Sequence, residues 1–254
     1  MKTLKLKISI VAALLFCILT QLANAQTLTI ATAANFRDPM TEIIKEFQAE
    51  NPEVTIKPVF GSSGNLYNQI TNSAPFDIFF SANVKYPQKV YEAGMSYAAP
   101  EIYAIGQLVL WSKSLDMTAG LEVLKTKEAS RIAIANPDLA PYGKSAVACM
   151  KYYKLYEELE SKIVTAENIA QTAQFAVTGN ADVGFLAKSQ LKMEAIAGNG
   201  SFFDLPTESY PPIKQAFVVI KKEENELLTQ KFIDFIGKPE IQKIITGYGY
   251  GLGK

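Results

Sequence analysis

A β-patterned run over residues 54–60 turns through Gly61-Ser62-Ser63-Gly64 into a helical run over 65–70. A strand that passes through small hydroxyl residues into a helix leaves unpaired N–H groups and hydroxyls at the positive helix end. Such a turn is a helix cap, an anion cradle, or both. It also sets the architecture, because the same alternation of strand and helix repeats along the chain and implies an α/β fold.

Residues 28–33 read as a buried strand. Phe36, Met40, Ile43, Ile44 and Phe47 follow at helical spacing, and Asn51-Pro52 ends that helix. Further strands are expected over 76–81, 108–111, 131–135, 183–186 and 216–221. Helices are expected over 84–93, 145–155, 168–177, 226–236 and 240–246. No repeat or low-complexity linker interrupts the pattern. Two lobes without a linker are joined by extended segments, and 104–111 and 213–221 fit that role. The first lobe is then residues 26–106 plus 217–254, and the second is 107–216.

The N-terminus reads as a cleaved signal peptide over residues 1–25. Lys2, Lys5 and Lys7 precede an apolar run over 8–19, and Ala23-Asn24-Ala25 is a small-x-small cleavage site. Bulky Phe16 before Cys17 argues against lipidation. Removing 25 of 254 residues leaves 229, with 22 basic side chains against 25 acidic, so the mature chain is slightly anionic. Cys149 is then the one cysteine left, which rules out an intrachain disulfide and suggests a small buried hydrophobe. No basic patch with interleaved aromatics points to nucleic acid.

The chain has no histidine. A Ser-His-Asp triad is excluded, and a zinc site has too few ligands. Gly143-Lys144-Ser145 ends like a P-loop, but the first glycine of that motif would fall on Asp138. The carboxylates show no spacing suited to a glycosidase pair or a metal cage. A Ser63–Lys144 pair is the one hydrolytic arrangement left.

Three other helix starts share the logic of Ser62-Ser63. Asn35 reads as an N-cap with Asp38 at N3. Residues 136–143 lead from a strand into a helix. Asn168 reads as a cap with Gln171 three residues on, which puts Ile169 in the first turn. Each alone reads as a cap; four facing one cleft would make a site.

At these residues the chain resembles the periplasmic molybdate-binding proteins of ABC transporters. The matching stretches are Ala31-Thr32-Ala33-Ala34-Asn35-Phe36, Phe60-Gly61-Ser62-Ser63-Gly64-Asn65-Leu66 and Ala74-Pro75-Phe76-Asp77-Ile78-Phe79-Phe80-Ser81-Ala82. Ile134-Ala135-Asn136-Pro137, Ala140-Pro141-Tyr142-Gly143, Ala166-Glu167-Asn168-Ile169, the stretch from Thr178 to Phe185, and Tyr248-Gly249-Tyr250 continue the match. The resemblance implies a two-lobed type II periplasmic-binding-protein fold, each lobe a mixed sheet flanked by helices, joined by two crossing strands. It implies capture of molybdate, and of tungstate, between the lobes by neutral donors. Carried over by position, these are the Asn35 side chain and N–H with the Ala34 N–H beside it, the Ser63 hydroxyl and N–H, the N–H groups of Tyr142 and Ile169, and Ser62 as a weaker candidate. It further implies a periplasmic monomer that delivers to an ABC permease, with no catalysis and no cofactor. Many members carry Ser at the position of Asn35 and Tyr at that of Ala187, so here the Asn35 amide would stand in for a missing phenol. The alternatives are another tetrahedral oxyanion, sulfate or phosphate, and the Ser–Lys hydrolase.

Overall fold

The computed structural model describes residues 26–222 and 225–253; the expected signal peptide lies outside them. In chain order the main elements are β1 (Gln26–Ala33), α1 (Arg37–Glu50), β2 (Val54–Gly61), α2 (Ser63–Thr71), β3 (Ile78–Ser81), α3 (Lys85–Glu92), β4 (Glu101–Gly106) and β5 (Leu108–Ser112). They continue with β6 (Ile132–Ala135), α4 (Pro141–Tyr152), α5 (Tyr156–Leu159), β7 (Ile163–Ala166), α6 (Ile169–Thr178), β8 (Val183–Ala187), β9 (Ser201–Asp204), β10 (Ile213–Val219), α7 (Glu226–Ile236) and α8 (Pro239–Gly247).

The strands form two five-stranded mixed sheets, in the orders β2-β1-β3-β10-β4 and β7-β6-β8-β5-β9. In each, three parallel strands are followed by an antiparallel one that arrives from the other lobe. The second sheet thus repeats the plan of the first. β3, β6 and β8 are buried along their whole length, as expected for strands covered on both faces.

Helices cover both faces. On the first sheet, Met40, Ile43 and Phe47 of α1 pack with Phe232 and Phe235 of α7 and Ile241 and Ile245 of α8. Leu66, Ile70 and Val90 of α2 and α3 fill the opposite face. On the second sheet, Ala146, Cys149 and Met150 of α4 join Leu159 of α5. Ala173 and Ala176 of α6 lie against Val109, Trp111 and Leu186. Each fully buried Phe or Leu contributes about 1.5–3 kcal/mol of transfer free energy. Cys149 is buried, as its apolar surroundings in the sequence suggest, and burial pushes its thiol up.

Only Gln107 separates β4 in one sheet from β5 in the other. The return crossing lies before Ile213, four residues earlier than the expected boundary. All of β10 pairs in the first sheet, so residues 213–216 belong there rather than to the second lobe. β7 and β9 are strands that the sequence pattern misses. Each has four residues, too few to display a period, and each forms a sheet edge. Helix α4 begins at Pro141 rather than near Ser145, since a proline ring is pre-set for a first helical position.

Candidate functional site

The helix starts that follow β1, β2, β6 and β7 meet in one small cavity between the lobes. Its lining includes Ala34 and Asn35, Ser62 and Ser63, Pro141 and Tyr142, and Asn168 and Ile169. All four starts lie just past the carboxyl ends of strands, where open α/β sheets bind ligands. Larger hollows exist, such as one lined by Ile102, Pro239 and Gln242, but no set of helix starts converges there.

Each start has its own local cause. Ser62 caps α2: its Oγ accepts from the Asn65 N–H at 3.3 Å. Ser63 is the first residue of α2, and its Oγ accepts from the Ala82 N–H at 2.9 Å. Both hydroxyls are buried, and neither proton has an acceptor among the described residues. A hydroxyl whose lone pair is held by a backbone N–H is an oriented donor with its proton free. Asn168 caps α6 by accepting from the N–H groups of Ala170 and Gln171, at 3.0 and 3.1 Å. The N–H groups of Ser63, Tyr142 and Ile169 have no backbone acceptor among the described residues, as first-turn geometry requires.

Asn35 departs from the expected cap. The chain makes a 3₁₀ turn over Ala34–Phe36 without a side-chain cap, and Phe36 is the residue that leads into α1. The Asn35 amide instead turns inward and donates to Gln215 Oε1 at 2.8 Å and to the Tyr250 hydroxyl at 2.9 Å. Both amide hydrogens are therefore engaged, so the side chain has no hydrogen left to donate into the cavity. The Asn35 carbonyl accepts from Ser189 Oγ at 2.9 Å and from the Tyr250 hydroxyl at 2.8 Å. The Tyr103 hydroxyl also donates to Gln215 Oε1, at 2.9 Å, and Gln215 Nε2 donates to the Tyr142 hydroxyl at 3.2 Å.

This buried network is the part of the site that sequence reasoning misses. Its members are spread from position 35 to position 250, and no local pattern joins them. Burial pushes the Tyr103 and Tyr142 phenols well above their usual range and the Tyr250 phenol to about 12. All three are neutral at physiological pH.

Among the described residues, no Asp, Glu, Lys or Arg lines the cavity. Asp77 lies at the other end of β3, where it accepts from the Thr29 N–H and pairs with Lys222. Asp38 faces a separate hollow with Lys192 and Tyr248. Lys144 is exposed and absent from the lining, so it is not placed to activate Ser63. Ala187 is fully buried, and its N–H donates to Gln190 Oε1, whose amide in turn donates to the Ile169 carbonyl.

Two lobes that meet on a small, uncharged pocket of hydrogen-bond donors make a solute-binding protein. The chain belongs to the bacterial extracellular solute-binding protein family, whose profile matches residues 28–251. It is 36% identical to the molybdate-binding protein ModA of Azotobacter vinelandii, over 98% of this chain and 97% of that one. It is 40% identical to ModA of Rhodobacter capsulatus, over 90% of this chain and 89% of that one. The solved periplasmic molybdate-binding protein of A. vinelandii superposes with a TM-score of 0.84 at 33% identity, covering 89% of this chain and all of that one. These relatives are binding proteins, and the chain is read as one rather than as a hydrolase.

Proposed function

We propose that this chain captures molybdate between its lobes in the periplasm and delivers it to an ABC permease as a monomer without a cofactor. The observation that carries this reading is the convergence of four helix starts on a cavity with no charged lining residue. The donors are the N–H groups of Ala34, Asn35, Ser63, Tyr142 and Ile169 with the hydroxyls of Ser62 and Ser63.

Molybdate is fully deprotonated at neutral pH and only accepts hydrogen bonds. A donor-only pocket satisfies it, with helix dipoles in place of a cation. Monohydrogen phosphate brings a proton that needs an acceptor, and the lining has no carboxylate to take it. Sulfate has the same charge and the same acceptor character, but its bonds are shorter and it cannot reach every donor at once. Tungstate matches molybdate in charge and shape and binds too.

Protection against heat by a panel of molybdate, tungstate, sulfate and phosphate tests the reading. An anion at a hundredfold excess over its dissociation constant stabilises by about 2.7 kcal/mol. Molybdate and tungstate should raise the melting temperature at micromolar concentrations, and sulfate and phosphate should not. Protection by sulfate or phosphate alone would reassign the site to that anion.

A further inference from the structure

Gln215 is fully buried and joins the two halves of the donor set. Its Oε1 accepts from Asn35 in the first lobe, and its Nε2 donates to the hydroxyl of Tyr142 in the second. Both partners line the cavity. We propose that Gln215 is a positioning residue that fixes the span between the two half-cages, and so decides which size of tetrahedral dianion is preferred. The proposal rests on the molybdate reading for the choice of anions.

Two features of the backbone and one side chain serve this placement. The pairing of β10 with β4 shifts register between Gln215 and Ala216, and such an irregularity re-aims the side chain beside it. Gly106, the residue paired with Ile213, leaves the space that the link occupies. A Cβ there would stand 2.1 Å from the Tyr142 hydroxyl and 2.7 Å from Gln215 Nε2. The Tyr103 hydroxyl accounts for the second lone pair of Oε1, so the amide is held from three sides.

The consequence concerns size. Sulfate has the charge and the acceptor pattern of molybdate but is smaller. To satisfy the same donors it must draw the half-cages together. A saturated, buried strut between Asn35 and Tyr142 resists that contraction, and the donors that sulfate fails to reach stay unpaired. Without the strut the cage can settle on the smaller anion.

The test is titration calorimetry with molybdate and with sulfate on wild type, Gln215→Met, Tyr142→Phe and the double variant, with thermal unfolding as a check on folding. Gln215→Met removes all three bonds at similar length. Tyr142→Phe removes a single hydroxyl and keeps the backbone N–H. Each single variant should lower the molybdate-to-sulfate affinity ratio about tenfold. The double variant should lower it no further, because both changes break one link. A residue that only supports the fold would lower the melting temperature and weaken both anions equally. An unchanged ratio in the single variants, or additive losses, would overturn the proposal. A wild type that prefers sulfate would overturn the functional reading instead, while a tenfold change in the ratio would still uphold the strut.

Discussion

The Gly64 N–H donates to the Leu139 carbonyl at 2.9 Å, so the first turn of α2 in one lobe is bonded directly to the loop before α4 in the other. Two more bonds cross the gap beside it. The Tyr86 hydroxyl donates to the Asp138 carbonyl at 3.1 Å, and Asn65 Nδ2 donates to Glu167 Oε1 at 3.1 Å. The lobes meet in a closed arrangement, and the approach needs glycine at position 64. A Cβ there would lie 2.8 Å from the Tyr86 hydroxyl and 3.0 Å from the Leu139 Cα.

Gly64→Ala should therefore hold the lips apart. We expect molybdate affinity to fall about tenfold or more, since one inter-lobe bond is lost and a backbone must shift. Small-angle scattering should show that wild type compacts with molybdate and that the variant compacts less. Equal compaction would mean that the lip bonds do not guide closure.

Ser63→Ala removes a donor to the anion and strands the Ala82 N–H as well. A hydrogen bond to a charged group contributes about 1.5–3 kcal/mol, so affinity should fall roughly tenfold to a hundredfold in calorimetric titration. Ser62→Ala should also cost about 1 kcal/mol of stability through the lost cap. Lys144→Ala should leave affinity unchanged. A large loss there would replace the neutral-donor account with a cationic one.

Thr32 is fully buried in β1, and its hydroxyl has no hydrogen-bond partner among the described residues. Burying an unpaired hydroxyl costs on the order of 1–3 kcal/mol. Thr32→Val keeps the shape and should stabilise the protein by about 1 kcal/mol in urea titration, with molybdate affinity unchanged. Destabilisation would show that the hydroxyl has a partner, such as a bound water.

No group in the cavity lining titrates near neutrality, and the chain has no histidine. Molybdate affinity should be flat from about pH 6 to about pH 9. The Tyr250 phenol titrates at about 12 when folded, raised mainly by burial, against an ordinary 10.0. A raised value means that the stabilisation is fully present below the ordinary value and is lost as pH rises through the folded one. Stability should decline as pH rises from about 10 to about 12, with tyrosinate absorbance rising in step. A break in affinity near pH 7 would point to an ionisable group in the pocket.

The sequence discloses what is local. Ser62 and Asn168 bond to N–H groups two or three residues ahead, so their capping role is visible in a short window. The Asn35 side chain bonds to partners 180 and 215 residues away, and its residue type suggests a cap that never forms. Gln215 leaves no local trace for the same reason, since tertiary packing alone gives it partners. The alternation of strand and helix is legible because the covered parallel strands are mostly apolar. The four-residue edges β7 and β9 are not. Assembly of the four helix starts in one cavity follows from the repeated sheet plan, which only the pairing of strands reveals.

Gln107 stands alone in one crossing, and Pro211-Pro212 stiffens the other. The Leu108 N–H donates to the Tyr210 hydroxyl at 3.1 Å, which ties the two crossings side by side. Such a joint leaves few backbone torsions to turn, because proline fixes φ. Every torsion that is already fixed in the open protein is disorder that closure need not remove. The hydrogen bonds made to the cargo are then less offset by lost conformational entropy, and a small set of neutral donors can bind tightly.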